Sequence, residues 1–299
     1  MKKSILSEID LVARIARMVK YPSSVFRGIG DDAAVIKYTQ DKYLLFTADM
    51  LIEGVDFTAK ASPRDLGYKA LGCSLSDIAA MAGIPRFALV SLGLPKERSR
   101  PEFIDGFYKG LLSLGRRFKV SIVGGDLSVC EKLVIDVCMV GEVKKNRLAL
   151  RSGAKTGDVI FVSGSLGGSI YGRHLKFIPR IKEAGYLSSN YKINSMMDIS
   201  DGLSLDLFRL ACASSKGAVI YEGLIPVSGD AKSPDEALYM GEDLELLFTM
   251  PKKEAGRLLR NKGRFFKAIG EITDKRFGLK IITRDGKEKR LEPKGYQHF

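Results

Sequence analysis

Apolar residues recur at helical spacing in four stretches, with strand-like runs between them. Leu11, Val12, Ile15, Ala16 and Val19 follow Ser7, a residue suited to capping, and predict a helix that Tyr21-Pro22 ends. Ser62-Pro63-Arg64-Asp65 opens a second helix, which reaches Gly83-Ile84-Pro85, and Ser99-Arg100-Pro101-Glu102 opens a third carrying Phe103, Phe107 and Leu111. The fourth follows Asp201, with Leu203, Leu207 and Leu210 at i, i+4 and i+7. Short strands are predicted at residues 33–36 and 43–47, followed by a polar segment from Asp49 to Lys60. Further strands are expected at 86–94, 120–123, 133–140 and 159–163, the last leading into a glycine-rich turn at 164–168 and a helix. This alternation predicts an α/β (α+β) fold with antiparallel character. A boundary at Lys144-Lys145-Asn146 divides it into domains of residues 1–146 and 147–299.

Candidate chemistry lies where these elements meet. Asp198 and Asp201 stand three residues apart, between an apolar run and the fourth helix, where the plain reading is a capping and a turn carboxylate. Four more acidic, mostly glycine-bearing clusters occur at apparent strand ends: Gly30-Asp31-Asp32, Thr47-Ala48-Asp49, Gly124-Gly125-Asp126 and Gly241-Glu242-Asp243. A sheet can aim such loops at one point. Asp77 adds a carboxylate inside the second helix, among the small neighbours Ala70, Ser74 and Ala80. Two carboxylates about 4 Å apart repel by roughly 4 kcal/mol at an effective dielectric near 20, so convergence calls for cations or raised pKa values. Hard oxygen donors without neighbouring Cys or His favour Mg2+ over zinc.

Composition narrows the setting. The chain has 299 residues, 45% of them hydrophobic, enough for two cores. No apolar run reaches the ~18 residues of a membrane span, and the first ten residues do not read as a signal peptide. Four scattered cysteines without a C-x-x-C pair fit a reducing cytoplasm. The net charge is +13, and the last 49 residues carry 15 Lys/Arg against 6 Asp/Glu, or +9. That basicity reads as a solvated surface or an attraction for small polyanions; no zinc-finger spacing, RNP-like stretch or long basic helix supports a specific nucleic-acid partner.

Absent motifs matter as well: there is no P-loop, G-x-S-x-G elbow, H-E-x-x-H or dinucleotide fingerprint. With only His174 and His298, an imidazole base is poorly supplied. Phosphoryl transfer to an acceptor that is already an anionic phosphate needs no base, only screening of like charges and in-line positioning.

Seven motifs in order carry a resemblance: Gly28-Ile29-Gly30-Asp31-Asp32-Ala33-Ala34-Val35, the stretch from Thr47 to Phe57, Ser76-Asp77-Ile78-Ala79-Ala80-Met81-Ala82-Gly83, Val123-Gly124-Gly125-Asp126, Met197 to Leu203, Gly241-Glu242-Asp243 and the closing His298-Phe299. Together they resemble the thiamine-monophosphate kinases. The resemblance implies ATP-dependent phosphorylation of thiamine monophosphate to thiamine diphosphate, in a cytoplasmic homodimer. It further implies the two-domain fold of aminoimidazole ribonucleotide synthetase, with an N-terminal ATP- and Mg2+-binding domain that dimerises through its sheet and a C-terminal α/β domain completing the site. Carried over, it makes Asp32, Thr47, Asp49, Asp77, Asp126, Asp198 and Asp201 the Mg2+ ligands. Tyr108, Gly125, Asp126, Arg151 and Ser200 would contact ATP, and Asp56, Glu242 and Tyr296 the acceptor. For Tyr108 the residues alone suggest a core aromatic, and for Arg151 a surface charge.

Rivals within the superfamily are weighed on single residues. Selenophosphate synthetase needs a reactive Cys near its N-terminus and hydrogenase-maturation dehydratase a terminal Cys, whereas here the first cysteine is Cys73 and the chain ends in Phe299. Another ATP-dependent kinase or ligase with a different acceptor, or a non-catalytic binding descendant, stays open. The chain also departs from its family: Gly54-Val55-Asp56-Phe57 stands where a His is usual, Gly295-Tyr296 where Gly-Trp is usual, and Ala48 in place of a hydroxyl. An anionic Asp56 would repel an acceptor phosphate yet attract a thiazolium cation.

Overall fold

The computed structural model describes residues 7–262 and 265–298. The closing Phe299 of the last motif lies outside them. The first half runs α1 (Glu8–Met18), β1 (Val25–Arg27), β2 (Ala34–Lys37), β3 (Lys42–Ile52), α2 (Pro63–Ala80), β4 (Ile84–Leu94), α3 (Pro101–Phe118), β5 (Ser121–Gly124), β6 (Leu127–Val129) and β7 (Val134–Lys144). Its sheet has the order β1-β2-β3-β7-β4-β5, with β6 pairing β4. Two of the expected caps form, Ser7 accepting from the Asp10 N–H and Ser62 from the Asp65 N–H, with Pro63 in the first turn of α2, whereas α3 starts after Arg100 without a side-chain cap.

β3 differs from the short strand expected at 43–47. It runs to Ile52 because β7 pairs with it residue by residue, from Lys42↔Lys144 to Ile52↔Val134, so Asp49 sits inside a strand rather than in a loop. One face of this sheet packs on α2, and α3 packs on α2 in turn, closing a core with Leu45, Leu75, Val90, Phe107 and Leu111. The crossing of α2 and α3 is close: a Cβ on Gly67 would stand 2.0 Å from the Phe107 carbonyl oxygen, and one on Gly110 1.8 Å from that of Arg64.

The second half contains β8 (Val159–Val162), α4 (Ile181–Asn190), β9 (Ser195–Asp198), α5 (Leu203–Ala213), β10 (Lys216–Tyr221), α6 (Glu236–Tyr239), β11 (Leu246–Met250), α7 (Lys252–Lys262), β12 (Lys267–Asp274), β13 (Leu279–Ile282) and β14 (Glu288–Arg290). Its sheet has the order β14-β13-β10-β12-β8-β11-β9, antiparallel except where β10 meets β13. The helix expected directly after residues 164–168 starts only at Ile181; two short 3-10 turns, Ser169–Tyr171 and Arg173–Leu175, intervene. Apolar cores cover both faces, one built on α5 and Leu247, the other on Phe161, Phe248 and Phe266, so β9 and β11 are buried throughout.

Helix α2 joins the halves. Twelve of its eighteen residues are buried, because it faces its own sheet, α3, and α4 with β9 of the second half. A helix covered on every side cannot show a single apolar stripe, and the small residues Ala79, Ala80 and Ala82 let the second half approach.

Candidate active site

Three carboxylates meet at the junction of the halves. Asp32 comes from the turn before β2, Asp77 from the last turn of α2, and Asp198 from the end of β9. One carboxylate oxygen of each lies within 4.8 Å of the other two. Asp198 accepts a hydrogen bond from the Ser76 hydroxyl at 2.5 Å, Asp77 from Thr47, and Asp49, on the adjoining strand, from Ser74 at 2.8 Å. Arg151 donates to Asp32 Oδ1 from Nε at 3.1 Å and Nη2 at 2.6 Å, which leaves Asp32 Oδ2 buried without a partner. Burial raises these groups: Asp49 goes to about 6, with Asp136 and Glu242 adding to it, while Asp77 and Asp198 are pushed well above the ordinary carboxylate value by burial, with Asp49 and Asp198 adding at Asp77 and Asp32 adding at Asp198. An orphaned anionic oxygen beside two further carboxylates is a donor set for a hard divalent cation, and these residues fit Mg2+.

Two of the three, Asp77 and Asp198, line a cavity of about 1070 Å3, together with Asp49, Arg151, Ser200 and Asp201. Asp56, Glu242 and Tyr296 line it too. Nine of the residues singled out from the sequence thus share one cavity. Glu242 has φ +68°, a conformation that strains a non-glycine residue by ~1–3 kcal/mol, and its carboxylate meets Lys69 Nζ at 2.7 Å. Asp56 turns its carboxylate back onto its own loop, accepting from the Ile52 N–H at 2.7 Å, while its carbonyl accepts from Lys69 at 2.6 Å. Tyr296 is anchored by its N–H on the Asp201 carbonyl at 2.9 Å.

Other positions fall elsewhere in this chain. Asp201 pairs with Arg209, which also holds Asp206 at 2.8 Å, instead of joining the three carboxylates. Gly125 and Asp126 lie on the exposed edge between β5 and β6; Gly125 has φ +153° and leaves no room for a Cβ, which would stand 1.8 Å from the Val90 carbonyl oxygen. Tyr108 packs edge-on against Phe107 at 5.5 Å, as a core aromatic does. Arg151 is no surface charge: its guanidinium is drawn in by Asp32, and its N–H donates to Asp31 Oδ1 at 3.1 Å.

Sequence reasoning passed over Lys69, which is fully buried. The signal was present, since Lys69, Cys73 and Asp77 recur at i, i+4 and i+8 on one helix face, and a lysine in an apolar helix is buried only with partners. His174 borders the same cavity, with Nδ1 on the Ser169 carbonyl at 2.9 Å.

Two mixed sheets joined by a buried helix, with carboxylates from both halves converging at the seam, define an AIR synthase-related protein. Matches follow the same division: the AIR synthase related protein N-terminal domain covers residues 30–143 and the C-terminal domain residues 155–282. The thiamine-monophosphate kinase of Bacillus subtilis (strain 168) is 34% identical, over 98% of this chain and 100% of its own. Among solved structures, AaThiL complexed with AMPPCP and TMP superposes with a TM-score of 0.86 at 33% identity, covering 100% of both chains. Thiamine monophosphate kinase from Aquifex aeolicus gives 0.76 at 32%, covering 94% of this chain and 97% of that one. The chain belongs to the thiamine-monophosphate kinase family.

Proposed function

We propose that the protein transfers the γ-phosphoryl group of ATP to the phosphate of thiamine monophosphate, with Mg2+ held at the seam. The observation that carries this is the convergence of Asp32, Asp77 and Asp198 on one another, the last two lining a cavity large enough for both substrates, with one buried oxygen of Asp32 left unpartnered. The acceptor oxygen is already anionic, so no side chain is assigned as general base. Asp32, Asp49, Asp77 and Asp198 would hold Mg2+, which when bound supplies charge neutralisation between donor and acceptor phosphates. Thr47, Ser74 and Ser76 keep those carboxylates in place through their hydroxyls. Arg151 offers a guanidinium for ATP phosphate oxygens, and Ser200 lines the same wall. At the acceptor, Glu242 and the loop of Asp56 supply negative charge for the thiazolium ring and Tyr296 a flat face to stack on. Phosphate release from ATP into thiamine diphosphate, measured against thiamine, thiamine monophosphate and aminoimidazole ribonucleotide, tests the reading. Turnover with thiamine monophosphate alone is expected, and its absence would sink the assignment.

The active form is assigned as a homodimer. The outer face of the first sheet supports this: Phe46 and Phe87 flank Val140, and Ala48 and Leu89 flank Cys138, leaving an apolar patch open to solvent. Tyr108, Gly125, Asp126 and Asp201 are assigned to the nucleotide and its cations in that assembly, and the exposed place of Asp126 beside the patch agrees with this. The four free cysteines support a cytoplasmic setting, and no helix among the described residues is long and apolar enough to cross a membrane.

A further inference from the structure

The lysines and arginines of the basic closing segment do not line the site above, yet the fold gathers four of them around a second cavity, of about 610 Å3. It lies between α5 and the β13–β14 edge of the second sheet. Five cations border it, Lys216, Lys275, Arg276, Lys280 and Arg290, against one carboxylate, Glu288. Three of the five are engaged: Lys280 with Glu288 at 2.5 Å, Arg276 with Asp274 at 3.8 Å and Arg290 with Glu292 at 3.3 Å. Lys216 and Lys275 make no ion pair among the described residues. The rest of the lining is apolar and includes two rings, Phe208 and Phe277, with Leu279, Leu291 and Pro293. Rings with unspent ammonium groups beside them suit an anion carrying a flat apolar part, and the volume is that of a small-molecule site.

A second observation gives such a ligand a consequence. Leu291 and Pro293 line this cavity, while Gly295 and Tyr296, a few residues on, line the acceptor cavity. The segment between is pinned to α5, since Ser204 donates to the Glu292 carbonyl at 2.6 Å and Tyr296 N–H to the Asp201 carbonyl at 2.9 Å. Gly295 is pressed so close to Asp201 that a Cβ would stand 2.3 Å from its carbonyl oxygen. One short strip of chain is therefore a wall of both cavities, and what fixes it at one end fixes it at the other.

We propose that this cavity is a second ligand site, for a small aromatic phosphate, coupled to the acceptor cavity through residues 291–296. The proposal does not depend on which acceptor the enzyme uses. The probe is 1-naphthyl phosphate, titrated calorimetrically into the full chain in EDTA, so that no cation can hold phosphate at Asp32, Asp77 and Asp198. One saturable event per chain is expected. Lys216→Glu combined with Lys275→Glu should weaken it tenfold or more, the neutral pair Lys216→Gln with Lys275→Gln by less, and Lys253→Glu on α7 should leave it unchanged; melting curves confirm that each variant is folded. Hydrogen exchange of the amides at 291–296 should slow when the probe binds the wild-type chain and not in the charge-reversed one. No heat in the wild type, undiminished heat in the charge-reversed chain, or unchanged exchange across 291–296 overturns the proposal.

Discussion

At the scale of the residue, the site is a set of carboxylates that burial holds at a free-energy cost until a cation arrives. Asp198→Asn removes one of them while keeping an oxygen for Ser76. Turnover should fall by about 10² or more, while the cation-free protein melts roughly 2 °C higher, since repulsion among buried charges is relieved. A steady-state assay beside a melting curve checks both. Asp49, like Asp77 and Asp198, makes stability fall as the pH rises: its pKa goes from 3.8 to about 6 on folding, so its contribution is fully present below pH 3.8 and is lost as the pH climbs through 6. A divalent cation reverses that loss. Excess Mg2+ should raise the melting temperature by about 5 °C at pH 8 and by less than half as much at pH 5.5, as scanning calorimetry in paired buffers will show. Most of these residues were legible in the sequence because acidic clusters recur at one strand end after another. Lys69 was legible from its helical spacing with Asp77 and was passed over, whereas the pairing of Arg151 with Asp32 was not legible, since partners 119 residues apart carry no local signal.

At the scale of the element, α2 positions Lys69, Ser74, Ser76 and Asp77 together, so its distance from α3 decides whether the site forms. Gly110→Ala places a methyl group 1.8 Å from the Arg64 carbonyl oxygen and should cost about 2–3 kcal/mol, read from urea unfolding. Gly185→Ala on α4 meets nothing within 4 Å and should instead stabilise by about 0.5–1 kcal/mol in the same experiment. Apolar spacing announced α1, α2, α3 and α5, with side-chain caps that form at the first two. The full length of β3 was hidden because Ala48 and Asp49 break its apolar run, and only pairing with β7 carries the strand through them. The apolar stripe of α1 was equally legible, yet it buries none of its residues in the single chain.

At the scale of the whole molecule, the outer face of the first sheet leaves Phe87 49% and Leu89 45% exposed, a patch that a second copy would cover. Sedimentation equilibrium should give twice 32.9 kDa for the wild type and a single chain for Leu89→Glu, because an unpaired carboxylate in that interface outweighs the remaining apolar contacts. The two-sheet architecture was legible from the alternation of elements. The second cavity was not, because its cations come from β10, from the turn after β12, and from β13 and β14. One consequence of the seam concerns time. Asp32, Asp77 and Asp198 belong to a turn, a helix and a strand from opposite halves, and they become neighbours only after both sheets have formed and docked. A cation finds no chelate in the nascent or refolding chain, so it cannot act as a template; Mg2+ should leave the refolding limb of a chevron plot unmoved and slow only the unfolding limb, serving as a lock that closes after assembly is complete.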